Sequence, residues 1–241
     1  KNLTRAPNRY HPDENFGIPI ISSVKTSPTE MTIAVVFDTD STSGMILKLS
    51  DIVVSSGQNA GEKVGDWSRF EELAESGNTI TESVIEFKKS GGTQVSLETK
   101  KRNFSFSSGA GSWGSFSSQQ SSALTASVSG FSIAVLTITD AGHSIRINGQ
   151  ATSSDDKASS FCDGNVGISN LNTQIAGDDG TLTPTLKVGE CILYDEQLNP
   201  EEIKELEGYL AEKFCRQLAD DNHTYYNDGP NCSQCDSDCC E

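Results

Sequence analysis

The stretch Gly189-Glu-Cys-Ile-Leu-Tyr-Asp-Glu-Gln-Leu-Asn-Pro-Glu-Glu-Ile-Lys-Glu-Leu-Glu-Gly-Tyr-Leu-Ala-Glu-Lys-Phe214 holds a strand, a turn and a helix in 26 residues. Asn199-Pro200-Glu201-Glu202 supplies an N-cap side chain, a proline whose missing N–H would have had no helical partner, and acids where the helix dipole favours negative charge. Ile203, Leu206, Leu210 and Phe214 then recur at spacings of three and four, so the helix has one apolar face that must lie on a sheet. Gly208 inside it costs about 1 kcal/mol relative to Ala, which a close approach to another backbone would explain. Ahead of the helix, Leu186–Tyr194 reads as the closing strand.

Working backwards, further strand candidates are Met31–Phe37, Gly44–Leu49, Ile80–Lys88, Gln94–Thr99, Asn103–Ser107, Phe131–Thr139, Ser144–Asn148 and Asn165–Ser169. The polar linker Asp38–Ser43 suits a hairpin between the first two. Ile133, Val135 and Thr137 alternate with Ser132, Ala134, Leu136 and Ile138, so both faces of this strand are mostly apolar and it should be central and covered on both sides. Helical character intervenes only at Trp67–Ala74. Ser107–Gly130, rich in Ser, Gly and Gln, reads as a solvated loop carrying Trp113 and Phe116. Strands at short intervals with turn residues between them make an all-β sandwich the economical architecture.

Two segments carry a resemblance. Phe131–Asp140 followed by Ser144-Ile-Arg-Ile-Asn-Gly149 is similar to the strand, turn and strand ending in Asn-Gly of the concanavalin A-like, laminin-G-like jelly-roll domains. The segment from Gly189 to Phe214 resembles the closing strand and terminal helix of the same superfamily, with its Tyr194-Asp195 pair and Glu207-Gly208-Tyr209-Leu210. It departs in that Glu190 directly follows Gly189, and Glu196 stands where the family commonly has Arg. The resemblance implies a two-sheet antiparallel jelly-roll sandwich with one C-terminal α-helix over residues 16–215. An extended, proline-broken arm (1–15) precedes it and a cysteine-rich tail (216–241) follows.

Thirty-four Asp and Glu against 18 Lys and Arg leave a net charge of −16, which argues against nucleic acid or an anionic membrane as partner. The longest apolar runs, such as Met31–Phe37 and Phe131–Ile138, are too short to cross a bilayer, so membrane insertion is not expected. A chain that opens at Lys1 reads as the mature form of a processed, soluble protein. Seven cysteines (Cys162, Cys191, Cys215, Cys232, Cys235, Cys239 and Cys240) favour disulfides over a zinc site, and an odd number leaves one thiol over, with Cys191 in the closing strand as its buried holder. Sequons at Asn2, Asn103, Asn222 and Asn231 agree with secretion.

Catalysis is not expected. The β-glucanases of the same architecture place carboxylates on one strand face as Glu-x-Asp-x-x-Glu. Glu82 and Glu86 share a strand face but lack the central Asp, and are expected to be solvated. The histidines, His11, His143 and His223, support no triad. Laminin-G-like domains often hold calcium at a rim, and here Asp38/Asp40, Asp155/Asp156 and Asp178/Asp179, all in expected loops, are the candidate ligands for one Ca²⁺. Trp67, Trp113 and Phe116 are candidates for stacking on a sugar ring. The first functional expectation is a secreted, non-catalytic adhesion or structural module whose partners are other extracellular subunits, in a homo-oligomer or filament cross-linked through its termini. The alternative is a calcium-assisted, lectin-like module that binds glycans, and a glycan hydrolase ranks below both.

Overall fold

The computed structural model describes residues 3–5, 30–39, 43–64, 67–90, 92–107, 112–139, 141–155, 174–175, 186–219 and 222–225. In chain order its elements are β1 (Leu3–Arg5), β2 (Met31–Thr39), β3 (Ser43–Ser56), α1 (Trp67–Glu75), β4 (Thr79–Ser90), β5 (Gln94–Ser107) and β6 (Ser112–Ser127). They continue with β7 (Ser132–Ile138), β8 (His143–Ile147), β9 (Gln150–Asp155), β10 (Gln174–Ile175), β11 (Leu186–Tyr194) and α2 (Pro200–Lys213). The strands form two antiparallel sheets: sheet A in the order β1-β11-β2-β7-β8-β9, and sheet B in the order β10-β3-β4-β5-β6. The architecture is therefore a two-sheet β-sandwich closed by a C-terminal helix. Among the described residues no helix is long and apolar enough to cross a membrane.

The main core lies between the sheets, where Ile33, Val35, Phe37, Leu136 and Leu193 of sheet A meet Leu47, Leu49, Ile85, Phe87 and Leu97 of sheet B. Phe37 and Phe87 touch edge to face across it, their ring centres 5.7 Å apart. Strand β7 is buried at every position between β2 and β8, as its two mostly apolar faces require. One face meets the main core. The other, with Ile133 and Val135, joins Ala34, Val36 and Ile192 under α2.

Helix α2 seals the outer side of sheet A. Asn199 Oδ1 accepts from the N–H groups of Glu201 and Glu202 at 3.0 Å each, and the Glu202 carboxylate accepts from the Asn199 N–H. Ile203, Leu206 and Leu210 face the sheet as their spacing predicts. The Gly208 backbone does approach a neighbour closely, but the neighbour is a ring: a Cβ there would lie 2.6 Å from Cγ of Tyr225. Gly189 likewise leaves room for the Phe214 ring. Two ion pairs pin the helix to the sheet. Arg146 of β8 grips the Glu207 carboxylate with two N–H groups, at 2.8 and 3.0 Å, while His223 Nε2 lies 3.0 Å from the same group. Lys213 reaches Glu190 of β11 at 2.9 Å.

Four expectations need correction. Strands β2 and β3 are not a hairpin: they lie in different sheets, so the Asp38–Ser43 linker crosses the sandwich. Turn residues announce a reversal without fixing which sheet the next strand joins. Gln94–Thr99 and Asn103–Ser107 form the single strand β5, because Lys100–Arg102 pair with β4 regardless of their polarity. Most of the expected loop Ser107–Gly130 is β6, laid along β5 from Ser107 to Gln94 with two register shifts. Finally, Asp38 lies in β2 and Asp155 ends β9, so neither sits in a loop. The strand expected at Asn165–Ser169 lies outside the described residues. Strand β1, within the expected arm, pairs with β11.

Candidate functional site

The outer face of sheet B follows from alternation. Ile85 and Phe87 of β4 belong to the main core, so Ile80, Glu82, Val84, Glu86 and Lys88 point the other way. Leu47 and Leu49 likewise turn Lys48 outwards, and Val95 and Leu97 turn Ser96 and Glu98 outwards. One end of this face is apolar. Ile52, Val54 and Ile80 take Phe70, Leu73 and Ala74 of α1, and Phe104 packs edge to face on Phe70 at 5.4 Å.

Beyond α1 the same face becomes a charged lattice. Lys48 lies 3.8 Å from Glu82, and Lys88 lies 2.9 Å from Glu98 and 3.8 Å from Glu86. Glu86 and Glu98 are register partners across β4 and β5, so two like charges sit opposite each other with the Lys88 ammonium between them. Glu82 and Glu86 are 2% and 6% exposed, which overturns the expectation of solvated carboxylates. Their common strand face was legible from the i, i+4 spacing. Their lysines come from β3 and from their own strand, and only the register brings the first of these near. Ser96, in register with Lys88 and 3% exposed, keeps a buried hydroxyl with no hydrogen-bond partner among the described residues.

A second feature is a cleft of about 410 Å³ where the edges of the two sheets meet, between Gln94 and Thr125–Ser127 on one side and Gln150–Thr152 on the other. Its walls carry carboxamides and hydroxyls and no charged or aromatic group.

The other expected site residues are scattered. Trp113 and Phe116 lie within β6 and not in a loop, and Trp67 opens α1. Asp40, Asp156, Asp178 and Asp179 lie outside the described residues, among which no three His, Cys, Asp or Glu side chains gather as a metal site. Cys191 is a buried free thiol in β11, pushed up to about 12 from its usual 9.0 by burial and by neighbouring Glu190. Cys215 follows α2 in the left-handed conformation at φ 50°. Cys162, Cys232, Cys235, Cys239 and Cys240 lie outside the described residues. Asn103 is engaged in the sheet, where its Oδ1 accepts from the Thr81 hydroxyl at 2.8 Å. Asn222 is exposed in a turn, whereas Asn2 and Asn231 lie outside the described residues.

The fold places this chain among two-sheet antiparallel β-sandwiches. No protein-family model matches it, and no curated protein does. Among solved structures it is similar to the Ruminococcus gnavus IT-sialidase CBM40 bound to alpha2,3 sialyllactose, at 13% identity and a TM-score of 0.41 over 76% of this chain and 84% of that one. It is also similar to a Trypanosoma rangeli sialidase in complex with sialic acid, at 15% identity and a TM-score of 0.40 over 75% of this chain but 23% of that one. The binding domain of botulinum neurotoxin serotype G matches at 11% identity and a TM-score of 0.40, over 79% of this chain and 39% of that one. These likenesses are too distant to carry a functional argument.

Proposed function

We propose that this protein is a non-catalytic binding module that takes a neutral, polyhydroxylated ligand, a glycan, on the polar outer face of sheet B. The observation that carries the proposal is the Lys88–Glu98 pair, 2.9 Å apart, which with Lys48 keeps part of its side-chain surface accessible on this face. The face mixes the carboxylates of Glu82, Glu86 and Glu98 with the ammonium groups of Lys48 and Lys88. Vicinal sugar hydroxyls donate to the first kind and accept from the second, whereas a polyanion or a polycation would meet repulsion from one of them.

The same geometry argues against hydrolysis. A glycosidase needs two carboxylates on either side of the scissile bond. The facing carboxylates Glu86 and Glu98 are both engaged by the Lys88 ammonium, at 3.8 and 2.9 Å, which suits neither to act as a general acid. Secretion, calcium and cross-linking through the tail cysteines remain proposals that rest on the sequence alone.

A glycan array of neutral and sialylated oligosaccharides, probed with the parent protein and with Glu98→Gln and Lys88→Met, tests this. Binding to neutral glycans that both substitutions weaken, without release of reducing sugar, is expected. Binding confined to sialylated glycans, or unchanged in both variants, would remove the proposal. Repeating the array with a chelator decides whether calcium takes part.

A further inference from the structure

The strands that end the two sheets are unequal. Among the described residues, sheet A ends at β1, three residues long, and at β9, six residues long; sheet B ends at β10, two residues long, and at β6, which has sixteen. An edge strand presents a row of unpaired N–H and C=O groups, which proteins guard by shortness, charge, proline or bulges. Strand β6 is long and contains no Lys, Arg, Asp, Glu or Pro; indeed no charged residue and no proline occurs from Asn103 to Thr139, in a chain that is 22% charged. Among the described residues its remaining guards are two bulges, opposite Thr99/Lys100 and Asn103/Ser105 of β5. Between the first of these and its end, Ser122–Ser127 runs straight along Thr99–Gln94. The uncharged cleft opens along the same segment.

We infer that the Ser122–Ser127 edge is the contact through which a second copy of this chain pairs, strand to strand and antiparallel, about a two-fold axis. Charge selects the occupant. Two copies of a chain with net charge −16 repel over most of their surfaces, and an uncharged edge is where their backbones can approach. A strand paired with its own copy is self-complementary, as an isologous contact must be. For the two sheets to continue into one, the axis must be perpendicular to them and each residue must meet one that faces the same side. Leu124 and Ala126 are buried while Thr125 and Ser127 are exposed, so a register centred on Thr125 places Leu124 opposite the partner's Ala126 and keeps both cores continuous. The contact borders the polar face of sheet B, because Thr125 is the register partner of Ser96, but dimerisation through the backbone edge does not depend on the glycan proposal.

Sedimentation equilibrium of the full chain in reductant, which removes any contribution from the tail cysteines, tests this together with Thr125→Lys and Thr125→Glu. Thr125 is exposed, so either change leaves the fold intact by circular dichroism. The parent is expected to dimerise and each variant to weaken dimerisation by at least ~10-fold, because like charges then meet on the axis. An equimolar mixture of the two variants restores the dimer. A parent that stays monomeric up to the highest soluble concentration would overturn the inference, as would variants that dimerise like the parent or a mixture that fails to recover.

Discussion

The outer faces of the two sheets solve the same problem in opposite ways. On sheet A, Ala34, Val36, Ile133, Val135 and Ile192 are covered by α2, and two ion pairs join the helix to the sheet: Arg146 with Glu207, and Lys213 with Glu190. On sheet B, α1 covers one end and then stops, and the charges that follow hold one another. A buried ion pair that fastens a helix is a structural device. A lattice that combines buried carboxylates with half-buried lysines on an otherwise well-packed sheet contributes little to folding and costs desolvation, so its use is sought in recognition. Substitutions on the first face should therefore be read in stability, and those on the second chiefly in binding.

The largest effect is expected from Glu207→Ala. The Glu207 side chain is 1% exposed and serves both Arg146 and His223, so its removal strands a guanidinium against a sealed face. A loss of about 3–5 kcal/mol in urea unfolding is expected. A change within experimental error would mean that α2 is fastened by its apolar stripe alone, and the contrast between the faces would shrink.

Gly208→Ala comes next and reverses an ordinary expectation. Helix propensity favours the alanine by about 1 kcal/mol. Its Cβ, however, would lie 2.6 Å from Cγ and 3.0 Å from Cβ of Tyr225, atoms near the backbone that cannot swing aside. A net loss of about 1–3 kcal/mol is expected, and adding Tyr225→Ala should turn the alanine from harmful to neutral or helpful.

On the other face, Lys88→Met leaves Glu86 and Glu98 facing each other without their bridge. About 1 kcal/mol of stability should go, while glycan affinity falls at least ~10-fold. If stability collapsed instead, the lattice would be a structural device like that of sheet A.

These contrasts also mark what could be read from the chain. Strand β7 and helix α2 were legible because their residues repeat with the periods of buried strand and amphipathic helix. The capping box at Asn199 was legible because capping is local. Strand β6 was not: its sequence, rich in Ser, Gly and Gln, has no run of alternating apolar residues to announce it, and its conformation comes from pairing with β5. The candidate site was half legible. Spacing put Glu82 and Glu86 on one face, but Lys48 and Ser96 reach them through registers with β3 and β5 that no local pattern encodes.

The smallest expected effect sharpens the sealed side. The Cys191 thiol lies between the sheets and its pKa is pushed up to about 12 by burial, with Glu190 adding to the shift. In the unfolded chain the thiol loses its proton near 9.0, while in the folded chain it keeps it. The unfolded state then binds fewer protons, so the stability associated with this group is complete below pH 9 and is lost as pH rises towards 12. Lys213, raised chiefly by its hydrogen bond to Glu190, and Tyr194, raised by burial, lose stability in the same direction. The informative quantity is therefore the difference between the parent and Cys191→Ala. Whatever the cavity costs at neutral pH, the variant should lose about 1 kcal/mol less than the parent between pH 8 and pH 10, and the parent thiol should stay unreactive towards alkylating reagents until the protein unfolds. Equal losses in both proteins, or rapid alkylation of native Cys191, would show that water reaches the space between the sheets.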